Sequence, residues 1–143
     1  MEFKYNDGGR AEAGYKGTTN DCVTRAIAIV TGIPYQQIYD NINELATTER
    51  IGKRKKGVSN ARIGVYKQTS KKLISSLGLV WHPTMTIGSG CKVHLKAEEL
   101  PKGKIIVKLS KHLCAVVDGV INDLYDCSRG ETRCVYGYWS YNE

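Results

Sequence analysis

Apolar residues recur at helical spacing through the first half of the chain and in short β-branched runs through the second, and this change of period near Leu79 sets the expected architecture. Ala26, Ile27, Ile29 and Val30 form the apolar face of a first helix that follows the polar turn Thr18-Thr19-Asn20-Asp21, and Gly32 fits its C-terminal stop. Thr18 and Asp21 stand at the i, i+3 spacing of a capping box, so Cys22 falls in the first helical turn. Pro34 suits the start of a second helix, on which Tyr35, Ile38, Ile42 and Leu45 share a face and which should end near Ala46. Val65, Thr69, Leu73 and Leu77 mark a third, stopped by Gly78.

From Leu79 the pattern reads as strands. Leu79 to Pro83 is a short one, Thr84 to Cys91 a flexible loop, and Val93-His94-Leu95 a further extended piece before a turn at Glu98 to Gly103. Lys104 to Leu109 and His112 to Val117 are rich in β-branched residues and bounded by turn signals. Asp118-Gly119 is a two-residue hairpin signal, with Val120 to Tyr125 returning antiparallel, and a last strand runs from Cys134 to about Trp139. Helices first and strands afterwards predict an α+β fold, N-terminal helices packed on a C-terminal antiparallel β-sheet, in a single domain spanning 1–143. Residues 1–17, with Gly8, Gly9, Gly14 and Gly17 among polar residues and tyrosines, read as an extended N-terminal arm leading to the first helix.

Charge adds a candidate partner surface. The formal charge of +7 permits contact with something acidic, and much of the excess sits in a basic loop over 47–61, at Arg50, Lys53, Arg54, Lys55 and Lys56. That run repels itself and reads as exposed, available to an acidic partner or nucleic acid. No apolar stretch approaches a bilayer's thickness and no charged-then-apolar leader opens the chain, so membrane association is not expected. Five cysteines without the dense spacing of a small secreted scaffold suggest free thiols in a reducing cytoplasm rather than disulfides.

Cys22 is the candidate nucleophile, because the free N–H groups and positive dipole end of a helix start favour thiolate over thiol. Taken singly, a cysteine beside an apolar helix is more often core filling, so a partner histidine and an orienting acid are needed. The hairpin supplies both. If Asp118-Gly119 is the whole turn, Val117 faces Val120, Ala115 faces Asn122, Cys114 faces Asp123 and His112 faces Tyr125. His112, Cys114, Val116, Ile121 and Asp123 then share one face, and Asp123 is a diagonal neighbour of His112, within reach of its imidazole. Asn122 and Asp126 point the other way.

The segments NDCVTRAIAIVTG and SKHLCAVVDGVINDLYDCSRG, with their order Cys, His, acid, resemble the papain-like cysteine peptidase superfamily, nearest to compact bacteriocin-leader peptidases and small phage or bacterial papain-like proteins. The resemblance implies Cys22 as nucleophile, His112 as general base and then acid, and Asp123 as the orienting residue. Such enzymes often carry a glutamine about six residues before the cysteine as oxyanion donor. Here that position is Lys16, leaving Asn20 or the Cys22 backbone N–H for the role. The implied function is a cysteine hydrolase acting on a peptide or protein, without cofactor, through a Cys22 thioester. The alternative is a non-catalytic protein of the same fold that engages an acidic partner or nucleic acid through its basic loop, for example a phage-encoded inhibitor of a host factor.

Rival constellations are weaker. Cys91-x-x-His94 with Cys127 or Cys134 has half the spacing of a zinc site, but no second tight pair follows, so no metal is expected. Gly88-Ser89-Gly90 lacks the Gly-Lys-Ser/Thr of a phosphate loop. Trp81, Trp139 and the tyrosines at 136, 138 and 141 have the chemistry to stack bases, but such residues more often pack a core.

Overall fold

The computed structural model describes residues 1–17, 19–51, 57–86 and 88–141. Thr18, one half of the expected capping box, and Lys53, Arg54, Lys55 and Lys56 of the basic loop lie outside the described residues. The fold is α+β. Among the described residues three α-helices, α1 (Cys22–Thr31), α2 (Tyr35–Ala46) and α3 (Lys67–Ser76), accompany six strands. These are β1 (Glu2–Tyr5), β2 (Val80–Pro83), β3 (Lys104–Leu109), β4 (His112–Val117), β5 (Val120–Asp123) and β6 (Gly137–Ser140), in one sheet ordered β1-β5-β4-β3-β6-β2.

The sheet is mixed rather than antiparallel. Residues 2–5 of the supposed arm are a strand, running parallel to β5 from Glu2↔Val120 to Tyr5↔Asp123. This pairing brings the chain start to the strand that carries Asp123. The turn that follows sits against α1 because Gly8, at φ +69°, has no Cβ; one there would meet the Arg25 backbone oxygen at 3.1 Å. The β4–β5 hairpin has the expected two-residue register, Val117↔Val120 and Ala115↔Asn122. β5 ends two residues earlier than expected, where the Leu124 N–H turns back to the Asp123 carboxylate at 2.7 Å. The last strand starts at Gly137 rather than Cys134, since 134–135 pair instead with 93–94: His94 bridges Cys134, and the Val135 N–H reaches the Val93 carbonyl at 2.8 Å.

Alternation along β3 and β4 divides the core between two faces. Ile106, Leu113, Ala115 and Trp139 meet Ala26, Ile27 and Val30 of α1, with Ile38 and Ile42 of α2 and Leu73 and Ile74 of α3 behind them. Ile105, Val107, Cys114, Val116 and Ile121 face the other way, covered by Leu95, Leu100, Cys127 and Val135 from the loops. Gly32 closes α1 in the left-handed conformation at φ 74°, as its position suggested. Among the described residues no helix is long and apolar enough to cross a membrane.

The expectation of free thiols throughout is overturned. Cys91 and Cys134 form a disulfide with Cα atoms 5.8 Å apart, pinning the 93–94 segment against the approach to β6. This also removes the zinc reading, since Cys91 and Cys134 are bonded to each other and His94 lies 3.4 Å from Glu99. A bridge across 43 residues is worth roughly 2–4 kcal/mol. Thiol titration of the unfolded protein should therefore count three groups without reductant, for Cys22, Cys114 and Cys127, and five after reduction. Five without reductant would refute the bridge.

Candidate active site

Cys22 is the first residue of α1, with Asp21 as N-cap. The capping-box assignment of Asp21 fails, because its carboxylate makes no cap hydrogen bond. Stronger partners hold it instead. One oxygen accepts from Arg25 Nε at 3.0 Å and from the Thr19 hydroxyl at 2.7 Å, the other from the Tyr35 hydroxyl at 2.6 Å. Arg10 donates to the Thr19 hydroxyl in turn at 2.8 Å. The turn before Cys22 is thus fixed to α1, to α2 and to the 6–15 turn at once.

Arg25 carries that network across to the sheet. Its Nη1 donates to Asp123 Oδ1 at 2.8 Å, and Asp123 Oδ2 lies 2.6 Å from His112 Nε2. All three side chains are buried, Asp123 at 3 % exposure. His112 opens β4 and Asp123 ends β5, so the contact is the same-face diagonal that the hairpin register predicts. Asp126 is exposed and accepts from the Ser128 N–H at 3.0 Å, and Asn122 turns away to Asn6. Tyr125 lies beside the imidazole, ring centroids 5.8 Å apart.

The electrostatics follow from this packing. Burial alone would lower His112, but Asp123, then the thiols of Cys127 and Cys22, reverse it and raise the imidazole to about 11. Asp123 is likewise pushed up by burial, then brought below the usual carboxylate value by His112, the Leu124 N–H and Arg25. For Cys22, burial raises the thiol. Hydrogen bonding and charge from His112, with the Leu113 backbone and Arg25, outweigh burial and bring it below the ordinary thiol value. The site favours an imidazolium beside a thiolate.

A second thiol competes for the same histidine. Cys127 is lowered first by a hydrogen bond from Cys114, against burial, and then by His112; Cys114 is raised by the same bond. Access separates the two candidates: Cys127 is 1 % exposed, whereas Cys22 lines an open cleft of about 940 Å³ with His112, Trp81 and Trp139. Asn20 lines that cleft too, exposed, its backbone N–H held by the Arg62 carbonyl at 2.9 Å. Lys16, where a glutamine was sought, is exposed, and its carbonyl accepts from the Arg62 guanidinium.

His112, Asp123 and Cys127 bring one ligand atom each within 4.8 Å, the one such trio among the described residues. In that trio Asp123 is already bonded to His112 and to Arg25.

Sequence reasoning missed Arg25, Asp21, Tyr35 and Cys127. For Arg25 a signal existed: it is the one charged residue between Cys22 and Thr31, directly before the apolar run from Ala26 to Val30 and four positions after Asp21. No protein-family model matches the chain, and comparison with curated proteins and with solved structures finds no match.

Proposed function

We propose that this chain is a papain-like thiol hydrolase that cleaves an amide, isopeptide or related acyl bond through a thioester on Cys22. The observation that carries the reading is the buried Asp123–His112 contact at 2.6 Å beside a helix-start cysteine whose thiol is lowered by that histidine. With Nε2 committed to Asp123, Nδ1 is the ring nitrogen left to exchange protons at Cys22. The Cys22 thiolate attacks the acyl carbon, and the collapsing intermediate expels the amine or other leaving group, which takes the His112 proton. Water, deprotonated by the now neutral imidazole, attacks the thioester and releases acid and thiol. Asn20 and Cys22 both line the cleft, and the Cys22 N–H and the Asn20 side chain are the oxyanion donors in this scheme. No cofactor enters it, and a peptide or protein is the substrate.

The test is competitive alkylation with iodoacetamide at neutral pH, read by mass spectrometry. Cys22 should label at least about tenfold faster than a free cysteine, with an inflection below the ordinary thiol value, because the reactive form is the thiolate. In His112→Ala that inflection should move up, since the cation that lowers Cys22 is gone. Slow labelling at the rate of ordinary thiols would instead favour the non-catalytic binding protein.

A further inference from the structure

The cleft is lined by Lys67, Lys71, Lys108 and Lys111 together with Arg25, and no aspartate or glutamate is among its described lining residues. Arg25 is neutralised by Asp21 and Asp123, so the surplus charge belongs to the lysines. Lys67 and Lys71 stand one turn apart on α3 and project to the same side. Lys108 stands on the Ile106 face of β3, opposite Leu113, where the sheet is covered by α1. It is half-buried and forms no ion pair with a described carboxylate. Burial, then the charges of Lys67 and Lys71, push its ammonium below the ordinary lysine value, whereas the Cys22 sulfur acts in the opposite sense. Lys67, Lys71 and Lys108 therefore stand close enough to feel one another's charge, Lys108 next to the thiol, and an incoming anion would relieve that repulsion.

The tryptophan pair beside the cleft lysines bears on which anion enters. Trp81 has the Lys71 ammonium 5.4 Å from its ring centre and Trp139 against it at 4.4 Å between centroids. Its indole is occupied by a cation and a neighbouring ring rather than presented as a platform for a base. We infer that the cleft takes a peptide with an acidic side chain beside the scissile acyl group, its carboxylate held by Lys67, Lys71 and Lys108. The scissile bond in this statement rests on the hydrolase reading; the preference for the carboxylate does not.

The test separates the two by measuring binding without reaction. Fluorescein-labelled peptides of alternating glycine and glutamate, the glutamine analogue, and a single-stranded oligonucleotide of equal charge are titrated into Cys22→Ala protein and read by fluorescence anisotropy. The glutamate peptide should bind at least about tenfold more tightly than its glutamine analogue. Lys67→Gln/Lys71→Gln, both on the cleft side of α3 and clear of the core, should remove most of that difference, and Lys108→Gln should remove more. Equal affinity for the two peptides, or no effect of the α3 pair, overturns the inference. Tighter binding of the oligonucleotide overturns it in favour of a nucleic-acid partner. Failure of Cys22 to alkylate rapidly would defeat the hydrolase reading and leave this result unchanged.

Discussion

Asp123→Asn should slow Cys22 alkylation at neutral pH at least about tenfold and cut acyl turnover by roughly 10²- to 10⁴-fold, while Asp126→Ala leaves both near wild type. The asymmetry follows from the fold: β4 and β5 pair as Ala115↔Asn122, which sets Asp123 on the His112 face, whereas Asp126 lies beyond the end of β5, exposed and bonded to the Ser128 N–H. The amide keeps the size and one acceptor of the carboxylate but removes its charge. His112, raised to about 11 against burial chiefly by its hydrogen bond to that carboxylate, then loses its proton at lower pH. Without a cation beside it, Cys22 loses the influence that outweighs its own burial, and its inflection moves up. Retained fast alkylation in Asp123→Asn, or a loss confined to Asp126→Ala, would defeat the assignment of Asp123 as the orienting residue.

Arg25→Met should destabilise the fold by about 3–5 kcal/mol, because it takes the shared guanidinium from two buried carboxylates at once. Arg25 donates to Asp21 at 3.0 Å and to Asp123 at 2.8 Å, and the methionine replaces its volume but neither bond. For a chain of this size that is a fall in melting temperature of roughly 10–20 °C. The pH dependence has a definite sign. Asp123 is lowered in the folded state, so its contribution is present above the ordinary carboxylate value of 3.8 and is lost as pH falls through the lower folded value. The gap between wild type and variant should therefore be widest near neutrality and narrow in acid. Denaturant unfolding at several pH values measures it; a gap under about 1 kcal/mol, or one independent of pH, would mean that the carboxylates are not held by Arg25.

What could be read in advance was what local pattern encodes. Gly32 and Gly78 punctuate helices whose apolar faces repeat at their own spacing, and Asp118-Gly119 fixes a two-residue hairpin from which the His112–Asp123 diagonal follows by counting. β1 was missed because all four of its side chains are exposed and so show no apolar alternation; its pairing is carried by backbone bonds to a strand at the far end of the sequence. The same holds for Cys91 and Cys134, whose partnership depends on loops meeting in space. Asp21 misled for a different reason. Its spacing from Thr18 suits a cap, but a guanidinium and a phenol compete for the carboxylate more strongly than backbone N–H groups do. The cleft lysines were hidden by arithmetic, since a total charge says nothing about where uncompensated cations gather.

The bond between Arg25 and Asp123 spans 98 positions, and β1 has no strand to join until β5 exists. A chain emerging residue by residue from the ribosome thus exposes Cys22 long before it has made His112 or Asp123. During that interval the cysteine has no His112 beside it to favour its thiolate. The partners that favour the Cys22 thiolate are therefore assembled by the finished chain alone.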